Sequence, residues 1–284
     1  MNYEPLIRLA CFVGVLGGMA AWEVVAPRRR LTTSKLRRWF SNLAIATLNA
    51  VAVRLWFALG AVGVALIASR HGWGLFNHVS LASGAEVLVS IIALDLVLYL
   101  QHVMFHAVPL LWRLHMVHHA DLDFDVTTGI RFHPLEILLS MGIKAAAVIV
   151  LGAPPLAVLI FEVLLNASSL FNHGNVHLPL GVDRLLRCFV VTPDMHRVHH
   201  SLHADETNSN FGFNLPWWDF ALGTYRPQPR DGHDQMEIGL TQFREDSFEQ
   251  LHRLLLLPFA APTADNPVNS QCRSERHERE PPNG

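Results

Sequence analysis

Four stretches of this chain, 5–27, 40–69, 85–106 and 137–171, are long, apolar and nearly free of charge. A run of about 18 or more such residues is long enough to cross a bilayer as a helix. Inside lipid the backbone must satisfy its own hydrogen bonds, which these runs do as helices. The composition follows from them. Hydrophobic residues make up 51% of the 284, and charged residues only 16%, against roughly 25% in a typical globular chain. The shortage of charge lies almost wholly before residue 172. The expected fold class is therefore all-α.

The runs differ in detail. The first, 5–27, carries Arg8 near one end and Glu23 near the other; Glu4 stands where a signal peptide would be basic, so a retained span is expected. The second, 40–69, exceeds what a span needs and contains Arg54, which predicts a tilted or packed helix. The third, 85–106, contains Asp95. The fourth is broken by Gly152-Ala153-Pro154-Pro155, which predicts a hairpin of two shorter helices returning to the side it entered. Between the first two runs lie Arg28, Arg29, Arg30, Lys35, Arg37 and Arg38, whereas 70–83 holds only Arg70. The positive-inside rule then places 28–38, 102–136 and everything after 172 on the cytoplasmic side of a bacterial inner membrane or endoplasmic reticulum. The expected division is N-terminal membrane helices (1–84), a catalytic segment with its hairpin (85–261) and a disordered polar tail (262–284).

Histidine is the outlier, with 17 copies against 22 lysines and arginines together. Ten fall into four clusters: His102 and His106; His115, His118 and His119; His173 and His177; His196, His199 and His200. Residues three and four apart share one face of a helix, so each cluster aims its imidazoles at one point. Neutral imidazole suits iron, zinc, copper or nickel. Ten converging histidines exceed the needs of one ion and imply two. A buried imidazole without a partner is costly near a bilayer, so the density itself calls for partners.

Other residues follow the same stripes. Asp95, Tyr99, His102 and His106 lie along one face of the third run, and an acid inside a span is by default functional. Asp95 has two readings: orienting a ligand histidine through its second ring nitrogen, or pairing with Arg54. Glu162 stands in a similar stripe with Asn166, Ser169 and His173, either behind a ligand or as a polar helix contact. Thr192 and Pro193 read as the cap and first position of a helix that presents the last triplet. His133, before a proline, reads as structural, and His71, His78, His233, His252 and His277 as isolated and exposed.

The order H-x-x-x-H, H-x-x-H-H, H-x-x-x-H, H-x-x-H-H resembles the fatty acid hydroxylase/sterol desaturase superfamily of membrane-bound dimetal oxygenases. So do "DLVLYLQHVMFH", "LWRLHMVHHADLDFDVTTGIRFHPLE" and "HRVHHSLHADETNSNFGFNLPWWDFALGTYRP". The resemblance covers about residues 90–226. It implies an integral-membrane helical bundle, about three spans plus a re-entrant or spanning hairpin, capped by a cytosolic histidine-rich helical lobe. It implies two iron ions held by the ten histidines, with zinc as a substitute in isolated protein, O2 as co-substrate, and a lipid drawn from the bilayer. The reaction it implies is hydroxylation of a fatty acyl or sterol-like C–H bond, with desaturation on the same scaffold as the alternative. A non-catalytic zinc-binding membrane protein is the reading from another class.

Electrons are expected from outside, from a cytochrome b5, a ferredoxin or a reductase. The chain has no G-x-G-x-x-G, no P-loop and no cysteine set for an iron–sulfur cluster. Arg197 and the basic 28–38 loop are candidate docking charges, with solvated or headgroup contact the favoured role for the loop. A net charge of −2 gives no electrostatic case for nucleic acid.

Overall fold

A computed structural model describes residues 3–79 and 81–260; the tail expected at 262–284 lies outside the described residues. Thirteen α-helices follow one another: α1 (Glu4–Val25), α2 (Lys35–Trp56), α3 (Gly60–His71), α4 (Ser83–Ala107), α5 (Pro109–His119), α6 (Pro134–Leu151) and α7 (Pro155–Asn172) come first. The shorter α8 (Leu180–Leu186), α9 (Pro193–His199), α10 (Ala204–Thr207), α11 (Trp217–Leu222), α12 (Gly232–Gln235) and α13 (Leu251–Ala260) complete the set among the described residues. No strand occurs among the described residues, only isolated bridges such as Pro27 with Val176. Five helical segments are long and apolar enough to cross a membrane: α1, the run Lys35–Asn77, α4, α6 and α7.

The bundle core lies where α3, α4, α6 and α7 meet, around Val62, Leu94, Leu98, Val148, Val158 and Phe161. Ala61, Ala65 and Ala68 on α3 are fully buried; small side chains let membrane helices approach closely. The long second run is not one tilted helix, as expected, but two. It breaks at Phe57–Leu59, and α3 restarts at Gly60 with φ +60°, a conformation that a side chain disfavours. Arg54 donates to the Ala58 carbonyl at 3.0 Å, which serves a backbone group freed by the break.

The hairpin α6–α7 packs against α3 and α4. Its ends carry Glu136 and His173 at the lobe, and its turn meets the segment after α3. There Gly74 and Gly152 approach so closely that a Cβ on Gly74 would lie 2.2 Å from the Gly152 nitrogen. Halfway along, Glu162 accepts from Lys144 of α6 at 2.6 Å and from Arg8 of α1. Glu162 therefore staples three helices and has no place behind a ligand histidine. An intramembrane carboxylate needs such partners to remain in lipid.

Much of the 28–38 segment is bound to the lobe. Arg28 pairs with Asp194 and Asp234, and Arg29 donates to the Met236 carbonyl. The backbone nitrogens of Thr32 and Thr33 both donate to Asp123 Oδ2 at 2.8 Å. Arg38, fully buried, grips Asp121 at 2.6 and 2.9 Å and Asp125 at 2.7 Å. Arg131 pairs with Glu249 beside them. Glu23, near the end of α1, accepts from Val126 N and Asn175 N at 2.7 and 2.9 Å. The first two helices are thus tied into the loops that carry the histidines.

Candidate metal centre

Nine of the ten clustered histidines converge where α4 and α7 end, under α5 and α9. They form two groups. His102, His106, His115, His119 and His199 make one, and His118, His173, His196 and His200 the other; within each, one nitrogen per residue lies within 4.8 Å of all the rest. All nine are buried. The groups adjoin, with His119 stacked on His200 at 4.5 Å between ring centroids.

The two H-x-x-H-H triplets divide between the groups in opposite senses. On α5, His115 and His119 join the first group and His118 the second; on α9, His196 and His200 join the second and His199 the first. The physical reason is helical spacing. Positions i and i+4 stack on one face, while i+3 is turned about 60° away from i and points at the neighbouring site. Two such helices laid against each other complete both sets.

The tenth histidine does not belong. The chain leaves the helix at Asn172, and Val176 pairs with Pro27 in a bridge. His177 is exposed, and its backbone nitrogen donates to the Ala26 carbonyl. The H-x-x-x-H spacing carries meaning only on a helix, and here no helix continues through it.

Hydrogen bonds fix how the rings face. The Nδ1–H of His102 donates to the Phe211 carbonyl at 2.7 Å, that of His173 to Ser169 at 2.8 Å and that of His199 to Ser209 at 2.7 Å. A carbonyl only accepts, so each Nδ1 holds the proton and each Nε2 lone pair is turned inward. His115 Nδ1 lies 2.7 Å from the Glu136 carboxylate. The inward nitrogens meet at 3.1 Å in the pairs His102–His115, His118–His173 and His173–His196. Metal–nitrogen bonds of about 2.1 Å would set ligands at right angles about 3.0 Å apart. His119 Nε2 and both nitrogens of His200 are buried without a hydrogen-bond partner. Buried imidazole nitrogens with no hydrogen-bond partner fit a metal-binding role.

Protonation agrees with this. Burial, followed by neighbouring imidazoles, pushes His118, His119, His196 and His200 well below the ordinary histidine value. Burial takes His173 and His199 down to about 3. All six are neutral near pH 7, the form that binds metal.

The remaining predicted residues sit one step back. Asp95 touches neither a ligand ring nor Arg54. It accepts from Asn214 Nδ2, Trp218 Nε1 and Leu215 N at 2.7, 2.9 and 3.3 Å, anchoring the loop that carries Phe211 and Phe213. Tyr99 bonds Thr224 through its hydroxyl at 2.8 Å and packs edge-on against Phe211. Asp219, fully buried, accepts from Phe211 N and Gly212 N at 2.8 Å, holding the carbonyl that orients His102. Arg197 is fully buried against Asp194 and the Phe124 ring, so it is no docking charge. His133, read as structural, caps α6 by accepting from Leu135 N. His233 is buried rather than exposed.

Glu136 was missed as a functional residue, although it follows His133 by three positions. An acid in the first turn of a helix reads as a dipole partner, and nothing local reveals that His115 lies opposite. Replacing Glu136 with glutamine removes the charge behind that ring while keeping its volume. Metal affinity is expected to fall by about 10–100-fold, measured by chelator competition on purified protein; unchanged affinity would remove Glu136 from the site.

The comparisons agree with the geometry. The fatty acid hydroxylase family model matches residues 87–224. An ornithine lipid hydroxylase of Rhizobium tropici is 32% identical over 156 residues, 55% of this chain and 46% of the relative. Human cholesterol 25-hydroxylase is 32% identical over 144 residues, 50% and 51% of the two chains. Human alkylglycerol monooxygenase is 25% identical over 155 residues, 53% and 32%. The chain thus spans about half the length, or less, of these curated relatives. No solved structure gives a significant match. Residues 87–224, which hold all nine of these histidines, are the part of the chain that matches the fatty acid hydroxylase family.

Proposed function

We propose that this chain is a membrane-bound dimetal oxygenase that hydroxylates a C–H bond of a lipid. The observation that carries the reading is the pair of adjoining, buried imidazole groups at the ends of apolar helices. His102, His106, His115, His119 and His199 would hold one iron, and His118, His173, His196 and His200 the other. The pair supplies redox chemistry toward O2 that zinc lacks.

The protein's own residues position and protect. The carbonyls of Phe211, Ser169 and Ser209 and the carboxylate of Glu136 fix four rings. Phe124, Phe132 and Phe211 pack on the imidazoles and exclude water from the centre. Phe213 is half-buried against His102 and His196, one from each group, and marks a side from which a chain can approach. Hydroxylation leaves one oxygen atom of O2 in the product and sends the other to water. It consumes two electrons and two protons, for which the reading requires an external cytochrome b5, ferredoxin or reductase. The histidine boxes are assigned to the cytoplasmic side, where such donors reside and where the basic 28–38 segment would lie.

Relatives whose names carry hydroxylase or monooxygenase favour hydroxylation over desaturation. Mass spectrometry of lipid extracts from cells with and without the chain tests the proposal. A lipid gaining one oxygen atom is the expected result. A loss of two hydrogens would make it a desaturase. Stoichiometric zinc with no O2-dependent lipid product under any reductant would overturn the oxygenase reading.

A further inference from the structure

Two short helices of the lobe are built inside out. On α8, Asp183 and Arg187 face inward, paired at 2.7 Å, and Asp183 also accepts from Thr192 at 2.6 Å. The outward apolar residues on and just after α8 include Leu180, Leu185 and Phe189. On α11, Asp219 is fully buried, and Trp217, Phe220 and Leu222 face outward. These six apolar side chains are 43–67% exposed. A helix in contact with water orients the other way, with its charges out and its apolar face against the core.

The two helices form one surface. Trp217 Nε1 donates to the Cys188 carbonyl at 2.7 Å, and Val191 N donates to the Asn214 carbonyl at 3.0 Å. Their depth is set by α4. Asn214, Leu215 and Trp218 are bonded to Asp95, which lies seven residues, about 10 Å along the axis, from His102 toward the far end of the helix. Asp95 falls inside a segment long and apolar enough to span. A soluble protein partner approaching from water would be stopped at the bilayer surface before covering a patch fixed at this level. Arg184 is exposed on the same short helix, and Trp217 spends its indole N–H on a backbone carbonyl. Aromatic residues with a basic neighbour are what the membrane–water interface favours.

We propose that α8 and α11 form a shelf sunk into the adjacent bilayer leaflet, with phospholipid acyl chains covering Leu180, Leu185, Phe189, Trp217, Phe220 and Leu222. The shelf is an interfacial element in addition to the five spanning segments, and its occupant is lipid rather than a second polypeptide. It bears on function because α11 follows Phe213 by four residues, so a lipid chain meets the histidine groups laterally, from within the leaflet. The proposal stands on burial and depth, independently of which reaction the metals perform.

Environment-sensitive fluorophores at Leu185→Cys and, separately, Phe220→Cys test it. The background carries Cys11→Ser, Cys188→Ser and Cys272→Ser, and the full chain is reconstituted in phosphatidylcholine vesicles. Glu237→Cys, on an exposed side chain, serves as the aqueous control. The expected result is loss of fluorescence with lipids bearing a doxyl group near the carbonyl end of the chain, and none with aqueous iodide. The Glu237→Cys label should show the reverse. Iodide quenching at both shelf positions would overturn the proposal. So would protection from both quenchers that disappears on diluting the protein in lipid, since that marks a second copy as the occupant. Because fluorescence is read rather than turnover, a failed shelf and a failed oxygenase assignment give different results.

Discussion

Replacing His118 with alanine is expected to remove at least one metal ion per chain and to abolish lipid product. His118 is fully buried, its Nε2 lies 3.1 Å from that of His173, and only three other histidines complete its group. A four-ligand site reduced to three on this side cannot recruit a replacement from α5, because His115 and His119 are committed to the other group. His199→Ala should have the same effect through the five-membered group, although loss of one ligand in five leaves more residual metal. His177→Ala is the informative contrast, since it should leave both metal content and product unchanged. Metal analysis of purified protein beside the lipid assay reads all three, and size-exclusion elution confirms that each variant is folded. Retained product in the His118 variant would sink the ligand assignment. Lost metal in the His177 variant would mean that the cluster spacing, not the geometry, named the tenth ligand.

That contrast marks where the sequence was legible and where it was not. Local periodicity identifies a histidine's face when the helix is real, as on α5 and α9, and the triplets could be read for that reason. It fails at His173–His177, where four residues outside a helix cover up to about 13 Å instead of about 6 Å. It could not divide the ligands between two centres, because the division depends on how α5 lies against α9. The apolar runs gave the spans, but not the break at Phe57–Leu59. A glycine inside an apolar run is common in membrane helices, and only the neighbours show that Gly60 has positive φ.

The polar residues illustrate the opposite limit. Asp95 and Glu162 stand out as anomalies in spans, each with two readings: behind a ligand histidine, or in a polar contact between helices, which is what Glu162 makes. Their partners lie 119–123 residues away for Asp95, and at Arg8 and Lys144 for Glu162. The oddity of a buried acid is visible in a sequence, but its partner is a tertiary fact. The basic 28–38 segment misled in the same way. A cluster of positive charge between two spans reads as headgroup contact, whereas Arg28, Arg29 and Arg38 are consumed by the lobe.

Arg38 is accordingly the residue whose loss should most destabilise the protein. Its guanidinium is fully buried and reaches Asp121 through two nitrogens and Asp125 through a third, with Thr128 Oγ1 at 3.2 Å. Arg38→Met would keep most of the volume, leave Asp121 with the 3.8 Å contact to Arg131, itself engaged by Glu249, and leave Asp125 without its guanidinium partner. Removing one partner of a buried ion pair costs about 3–5 kcal/mol, because the remaining charge is left uncompensated. The effect should spread to the metal centre. Asp121 follows His119 by two residues, and the Asp125–Thr128 turn leads to Gly129, whose carbonyl accepts from Ser169, the residue that orients His173. Thermal unfolding in detergent should show a marked drop in midpoint for Arg38→Met. Arg37→Ala is the control: its pair with Asp246 is exposed, and such pairs contribute about 0–1 kcal/mol. A double variant, Arg38→Met with Asp121→Asn, removes one stranded charge together with its partner and should recover part of the loss. If Arg38→Met unfolds no earlier than Arg37→Ala, the buried network does not hold the first helices to the histidine loops.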